Sequence, residues 1–167
     1  SSSLAGLSPN TTYYVKAYAT NSAGTSYGDQ VEFTTLHDLP EARTSAISDI
    51  TQTTATGGGD IIDDGEDYIS VRGICWSINQ DPTTDDEKTE NGSGTASFTS
   101  SITGLSPNTT YYVRAYAVNS SGTSYGGQVV FTTLHNLPTV TTSAFSNITQ
   151  TTAIGGGNVT DDGGSNF

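Results

Sequence analysis

Apolar and polar residues alternate along this chain in short runs, and turn-forming residues separate the runs. Alternation with a period of two is typical of a strand that is buried on one face. The pattern predicts strands over residues 44–50, 53–62, 68–78, 95–102, 110–119 and 128–133. Short strands with turns at this regular spacing predict an all-β protein built as an antiparallel β-sandwich.

The alternation is clearest over residues 110–119, where two faces can be assigned. One face consists of Tyr111, Val113, Ala115 and Ala117. The opposite face consists of Tyr112, Arg114, Tyr116 and Val118. We expect the first face in the core and the second to point outward. Cys75 and Trp76 also point to opposite faces of their strand, and the pattern leaves open which of them is in the core.

The chain repeats itself with an offset of 98 residues. Residues 1–69 align without a gap on residues 99–167, and 47 of these 69 positions are identical. A period of this length corresponds to a whole small domain, since solenoid repeats are about 20–50 residues long. The sequence therefore predicts tandem domains with a period of 98 residues.

Two segments that end in proline, residues 36–40 and 134–138, follow strand-like runs and suit short linkers. They divide the chain into the C-terminal part of a preceding repeat (1–38), a complete repeat (39–136) and the N-terminal part of a following repeat (137–167). Because both ends cut through the pattern, we expect the chain to be a window on a longer tandem polypeptide. A true fragment, whose incomplete ends are completed by another chain, is the alternative.

The run from Leu105 through Pro107 to Tyr111, and the strand that ends at Asn119, resemble the E–F corner and F strand of fibronectin type III domains. The same motif occurs in the upstream copy. The resemblance implies tyrosine corners, in which the hydroxyl binds the upstream backbone, formed by Leu7, Pro9, Tyr13, Leu105, Pro107 and Tyr111. The chain looks most like the Thr-rich tandem variants in large bacterial surface and secreted proteins. It departs from the family at Trp76, because the family's tryptophan lies on the second strand and Trp76 on the third.

The chain carries a net charge of -12. Its five basic residues are too few and too scattered to displace counterions from a phosphate backbone, which argues against a nucleic-acid partner. An anionic membrane surface would repel the chain, and no apolar stretch approaches the roughly 20 residues of a membrane span. The sequence also contains no nucleophile elbow, phosphate loop or zinc-protease motif, so we expect neither an enzyme nor a bound cofactor.

Acidic residues concentrate in loops, which raises the question of calcium. Calcium takes about six to eight oxygen ligands, mainly from carboxylates and carbonyls. The candidate ligands are Asp63, Asp64, Asp81, Asp85, Asp86, Asp161 and Asp162. The resemblance implies that the loop of residues 81–90 lies at one pole of its domain and faces the loop of residues 161–162 in the next. Solvated acidic loops without an ion are the simpler expectation.

The outward-facing tyrosines Tyr112 and Tyr116 have counterparts at Tyr14 and Tyr18. Exposed rings on a sheet stabilise cross-strand packing, form lateral contacts between proteins, or stack on sugars, and the sequence leaves these three roles open. Glycans are a further possibility in a host with the machinery for N-glycosylation. The Asn-x-Ser/Thr acceptor sites are Asn10, Asn91, Asn108, Asn119, Asn147 and Asn158.

A nearly identical domain copied behind a short linker lengthens a rod, whereas catalysis needs only one site. The sequence therefore predicts a structural repeat of a long extracellular protein, such as an adhesin stalk or a surface filament. Its partners would be adjacent repeats or other copies of the chain. A carbohydrate-binding accessory module of a secreted multidomain protein is the alternative, and it would use the exposed tyrosines.

Overall fold

The computed structural model describes residues 2–164, and these residues form β-strands and connecting turns without a helix. In the complete repeat the strands are β5 (Glu41–Thr44), β6 (Ala55–Asp63), β7 (Val71–Ser77), β8 (Glu87–Lys88), β9 (Ser97–Ile102), β10 (Thr110–Asn119), β11 (Gly122–Tyr125) and β12 (Val129–Thr132). The chain before it forms β1 (Thr12–Val15), β2 (Tyr18–Asn21), β3 (Gly24–Tyr27) and β4 (Val31–Thr34). The chain after it forms β13 (Thr139–Thr142) and β14 (Gly157–Asp161).

The complete repeat is an antiparallel β-sandwich of fibronectin type III-like topology. One sheet has the order β5-β6-β9. In the other sheet β10 lies between β7 and the pair β11 and β12, and the short β8 adds to the outer edge of β7. The fourth strand therefore joins the sheet of β7 and β10 rather than the sheet of β5, β6 and β9.

The core lies between the two sheets and is built mainly from β7 and β10. Its main cluster consists of Ala55, Ile74, Trp76, Ile102, Leu105, Tyr111, Val113, Ala115 and Phe131. In the register of the sheet Val113 pairs with Trp76, and the rings of Tyr111 and Phe131 stack with centroids 5.8 Å apart. Trp76 is thus a core residue, although it lies on the third strand of the repeat.

Strand β6, the second strand of the complete repeat, has no room for a large side chain such as tryptophan at its centre. Residues 57–59 of β6 are all glycines. A side chain at Gly57 would lie 3.0 Å from the Cδ1 atom of Ile74 and 3.2 Å from that of Ile47. The third strand and the segment after β5 therefore fill the space that a large side chain on the second strand would need.

The predicted strands match the observed ones most closely over residues 110–119, where the bounds coincide with β10. The first strand was misplaced: β5 covers Glu41–Thr44, and residues 45–50 contribute only an isolated bridge between Ser48 and Thr56. Strand β11 was not predicted. Its sequence, Gly-Thr-Ser-Tyr, has little apolar alternation, and its pairing with β10 makes it a strand.

The flanking segments repeat the local structure of the complete repeat but not its burial. Strands β1 to β4 pair with the same relative registers as β10, β11 and β12. Tyr18 is 72% exposed, whereas its counterpart Tyr116 is 2% exposed. Likewise β13 pairs with β14 as β5 pairs with β6, and Val140 and Val159 are exposed.

Candidate functional site

Both copies of the tyrosine-corner motif make the same hydrogen bond. The amide N–H of Ser106 donates to the hydroxyl of Tyr111 at 3.0 Å, and that of Ser8 donates to the hydroxyl of Tyr13 at 2.8 Å. In the complete repeat Leu105 and Tyr111 are also buried in the core. This corner ties the crossover between the two sheets to the start of β10.

The outward face predicted for β10 is largely covered in the complete repeat, which is a correction to the sequence analysis. Tyr116 is buried, and its hydroxyl donates to the carbonyl oxygen of Thr89 at 2.8 Å. Tyr112 is half-buried. Tyr116 is therefore available neither for lateral contact nor for sugar stacking, whereas Tyr14 and Tyr18 are exposed.

A segment of residues 81–86, which we call the strap, covers a further part of this face. It crosses the outer face of the sheet between β8 and β11. The thiol of Cys75 lies 3.4 Å from the carbonyl oxygen of Pro82, and the amide N–H of Thr84 donates to the hydroxyl of Tyr125 at 3.0 Å. The strap therefore buries the side of β7 that faces away from the core.

The sequence left open which of Cys75 and Trp76 is in the core. Both residues are buried, on opposite faces of β7. Trp76 lies in the main core and Cys75 lies beneath the strap. Burial raises the pKa of the Cys75 thiol to about 11, since the charged thiolate is poorly solvated there. Burial likewise raises the pKa of Tyr116 to about 12. Neither group is ionised at neutral pH.

The strap also changes the expected placement of the acidic residues. Asp81, Asp85 and Asp86 lie on the strap, across the sheet, rather than on a loop confined to one pole. Asp63, Asp64, Asp161 and Asp162 each accept a backbone N–H from their own turn, two residues downstream. Within residues 2–164 no three His, Cys, Asp or Glu side chains gather in a group that could hold a metal ion. The predicted calcium ligands therefore do not form a ready-made site.

The predicted glycan acceptors differ in how open they are. Asn10, Asn108, Asn147 and Asn158 are exposed, and Asn91 is half-buried. Asn119 is 5% exposed, and its Nδ2 donates to the carbonyl oxygens of Asp38 at 2.7 Å and Asp64 at 3.1 Å. A glycan on Asn119 would replace one of the two Nδ2 hydrogens that make these bonds, and it would need space at a buried position, so this acceptor is not compatible with the folded repeat.

The two linkers meet opposite ends of the complete repeat. The carbonyl oxygens of His37 and Asp38 are bound at the C-terminal end of β10, by Ser121 and Asn119. The carbonyl oxygen of Leu134 is bound just before the N-terminal end of the same strand, by the amide N–H of Asn108. Sequence reasoning missed these contacts. Two sequence features pointed to them: the linker motif Leu-His-x-Leu-Pro occurs in both copies, and Gly65 is matched by Gly163 in the next copy.

Searches with this sequence found no matching family model and no matching curated protein. Among solved structures, the chain is similar to the sensor domain of the anti-sigma factor RsgI4 of Pseudobacteroides cellulosolvens, with 20% identity, a TM-score of 0.44, and coverage of 58% of this chain and 96% of that one. It is similar to the FN1–FN3 domains of chicken CNTN1, with 17% identity, a TM-score of 0.48, and coverage of 77% and 45%.

A group of titin domains is similar at 19% identity and a TM-score of 0.46, with coverage of 74% of this chain and 40% of that one. The fibronectin type III-like topology of the complete repeat is independently visible in its own strand order. In residues 2–164 no helix is present that could cross a membrane.

Proposed function

We propose that this chain is part of a structural repeat array in a long extracellular protein, either an adhesin stalk or a surface filament. The observation that carries the proposal is the placement of the two linkers at opposite ends of β10. A ten-residue strand is about 30 Å long, so each added repeat extends the chain by at least that distance.

The sequence period supports the same proposal. Gly65 and Gly163 lie against the linker carbonyls of Asp38 and Asn136 in the same way, so the joint is reproduced where the sequence repeats. A joint that recurs with the period supports an arrangement of successive domains in a row. The many exposed carboxylates keep such a rod soluble, because like charges repel neighbouring rods.

The alternative, a carbohydrate-binding accessory module, has less support. A sugar platform on the complete repeat would need Tyr112 and Tyr116 side by side on an open sheet, and Tyr116 is buried beneath the chain that follows β7. We propose that adjacent repeats and other copies of the same chain are the main partners, because the contact of the linker with the end of β10 joins successive repeats.

The proposal is tested by lengthening the chain. One, two or three further copies of residues 39–136 are inserted in frame, and the maximum dimension is measured by small-angle X-ray scattering. We expect a constant increment of at least about 30 Å for each copy. A maximum dimension that grows only with the cube root of mass would indicate compact packing of the repeats and would overturn the proposal.

A further inference from the structure

The end of the complete repeat that receives the upstream linker is built to hold that linker by its backbone. The holding surface, which we call the pole, consists of the turn between β10 and β11 (residues 119–122) and the loop after β6 (residues 63–67). The buried amide of Asn119 donates to the carbonyl oxygen of Asp38 at 2.7 Å, and the Ser121 hydroxyl donates to the carbonyl oxygen of His37 at 2.7 Å. Two successive carbonyls of the linker are thus bound by side chains of the repeat that follows.

The pole is held in shape independently of the linker. The Oδ1 atom of Asn119 accepts the amide N–H groups of Ser121 at 3.0 Å and Gly122 at 3.2 Å, which orients its Nδ2 toward Asp38. The carboxylate of Asp67 accepts the amide N–H of Ser120 at 2.7 Å and joins the turn to the loop. Hydrogen bonds from the side chain and the backbone of Ser120 hold the pKa of Asp67 below its ordinary value.

A glycine makes room for the linker. Gly65 has a φ of +73°, and a Cβ atom at this position would lie only 2.2 Å from the carbonyl oxygen of Asp38. The next joint repeats this geometry: Gly163 has a φ of +71°, and its Cβ would lie 2.0 Å from the carbonyl oxygen of Asn136. Both the backbone conformation and the contact distance require glycine here. The close approach is therefore a recurring property of the joint.

The preceding repeat binds Leu36, the residue immediately before His37. The amide N–H of Asn10 donates to the carbonyl oxygen of Leu36 at 2.9 Å, and the equivalent bond from Asn108 to Leu134 is 3.0 Å long. Leu36 is therefore bound by the repeat before the joint, while His37 is bound by the repeat after it. No unbound residue lies between these two contacts.

We propose that the pole is a docking surface for the His-(Asp/Asn) pair at the end of the preceding repeat, and that it holds this pair so that bending is confined to the single peptide unit between Leu36 and His37. Because recognition is through backbone carbonyls and a glycine contact, the change from Asp38 to Asn136 does not alter it. Its mechanical value, a stiff array, rests on the proposed function, but the docking itself does not.

The test uses the full chain and two glycines with the same backbone conformation. Gly65 and Gly104 both have a φ of +73°, but a Cβ at Gly104 would meet nothing within 4 Å. Asparagine tolerates positive φ, so Gly65→Asn and Gly104→Asn impose similar backbone costs and differ in whether they displace the linker. A further variant, Ser121→Ala, removes one of the two carbonyl bonds, and the upstream repeat already carries alanine there, at Ala23.

Backbone 15N relaxation at residues 37–39 gives the readout. In the unmodified chain and in Gly104→Asn we expect order parameters close to those of β10, near 0.85. In Gly65→Asn we expect values at residues 37–39 to fall below about 0.6 while β10 stays ordered, with a smaller fall in Ser121→Ala. Mobile residues 37–39 in the unmodified chain, or no change in Gly65→Asn, would overturn the docking.

The scattering experiment on lengthened chains separates this result from the proposed function. If residues 37–39 are ordered but the array packs compactly, the docking of the linker at the pole stands and the proposed extended array is rejected. If residues 37–39 are mobile but the array still lengthens by a constant increment, the docking is rejected and the extended array stands.

Discussion

Hydroxyl groups make several of the hydrogen bonds that stabilise this Thr-rich and Ser-rich repeat. Thr133 is buried, and its hydroxyl donates to the carbonyl oxygen of Ser106 at 2.6 Å. The amide N–H of Ser106 in turn donates to Tyr111. A chain with few large apolar side chains therefore fastens its crossover with polar contacts at buried positions, where each bond is shielded from competing water.

The tyrosine corner can be tested with a single atom change. Tyr111→Phe removes the hydroxyl that accepts the Ser106 N–H, and we expect it to lower the free energy of unfolding of the complete repeat by about 1 kcal/mol. Chemical denaturation followed by the fluorescence of Trp76, which lies in the same core, measures this change. The matched control is Tyr13→Phe, which removes the same bond outside the complete repeat. Equal effects of the two variants would contradict the assignment of this stability to the complete repeat.

Two strands illustrate how tertiary context overrides local pattern. β11 contains Gly122, Thr123 and Ser124 and would be a poor strand alone, but its pairing with β10 orders it. The opposite face of β10 reads as a solvent-facing surface, but Tyr116 is buried there, and its hydroxyl donates to the carbonyl oxygen of Thr89 in the segment after β8. An alternating pattern identifies the two faces of a strand, and it does not identify what lies over each face.

The rate at which Cys75 reacts with a thiol reagent measures how well the strap covers the thiol. Because the thiol is buried and its pKa is raised to about 11, we expect iodoacetamide to modify the native chain far more slowly than a free cysteine. Pro82 is fully buried, and Pro82→Gly should raise the modification rate about tenfold, which corresponds to about 1.4 kcal/mol in favour of the open strap.

Pro138→Gly is the control for this experiment, because Pro138 is exposed in the second linker, away from the strap. Mass spectrometry follows the modification under native conditions, and the unfolding midpoint is measured in parallel. Rapid modification of the unmodified chain, or equal rates in the two variants, would show that the strap does not protect the thiol.

The whole molecule carries a large negative charge, which invites bridging by cations between repeats. The candidate carboxylates, however, are spread over the strap and the turns, and those of Asp63, Asp64, Asp161 and Asp162 accept hydrogen bonds within their own turns. The linker contact at the pole is made by neutral groups, namely an amide, a hydroxyl and a glycine backbone. The joint therefore works without a metal ion in our proposal.

Thermal unfolding tests this proposal. We expect the midpoint to be the same in calcium as in sodium chloride of matched ionic strength, and to be unaffected by a chelator, because general screening of like charges is the only effect of the cation. The sodium chloride series is the control for screening. A midpoint several degrees higher in calcium than at matched ionic strength would show that a specific ion stabilises the fold or its joints.

The sequence by itself determined the sandwich class, the 98-residue period, the bounds of β10 and the tyrosine-corner motif. These depend on strand periodicity and on short-range spacing, which are local properties of a chain. Only the tertiary structure decided that Tyr116 and Cys75 are covered and that Trp76 enters the core from the third strand. It also decided that the pole binds the linker. These features depend on long-range contacts, such as the bond from Asn119 to Asp38, 81 residues apart, and no local pattern encodes such a pairing.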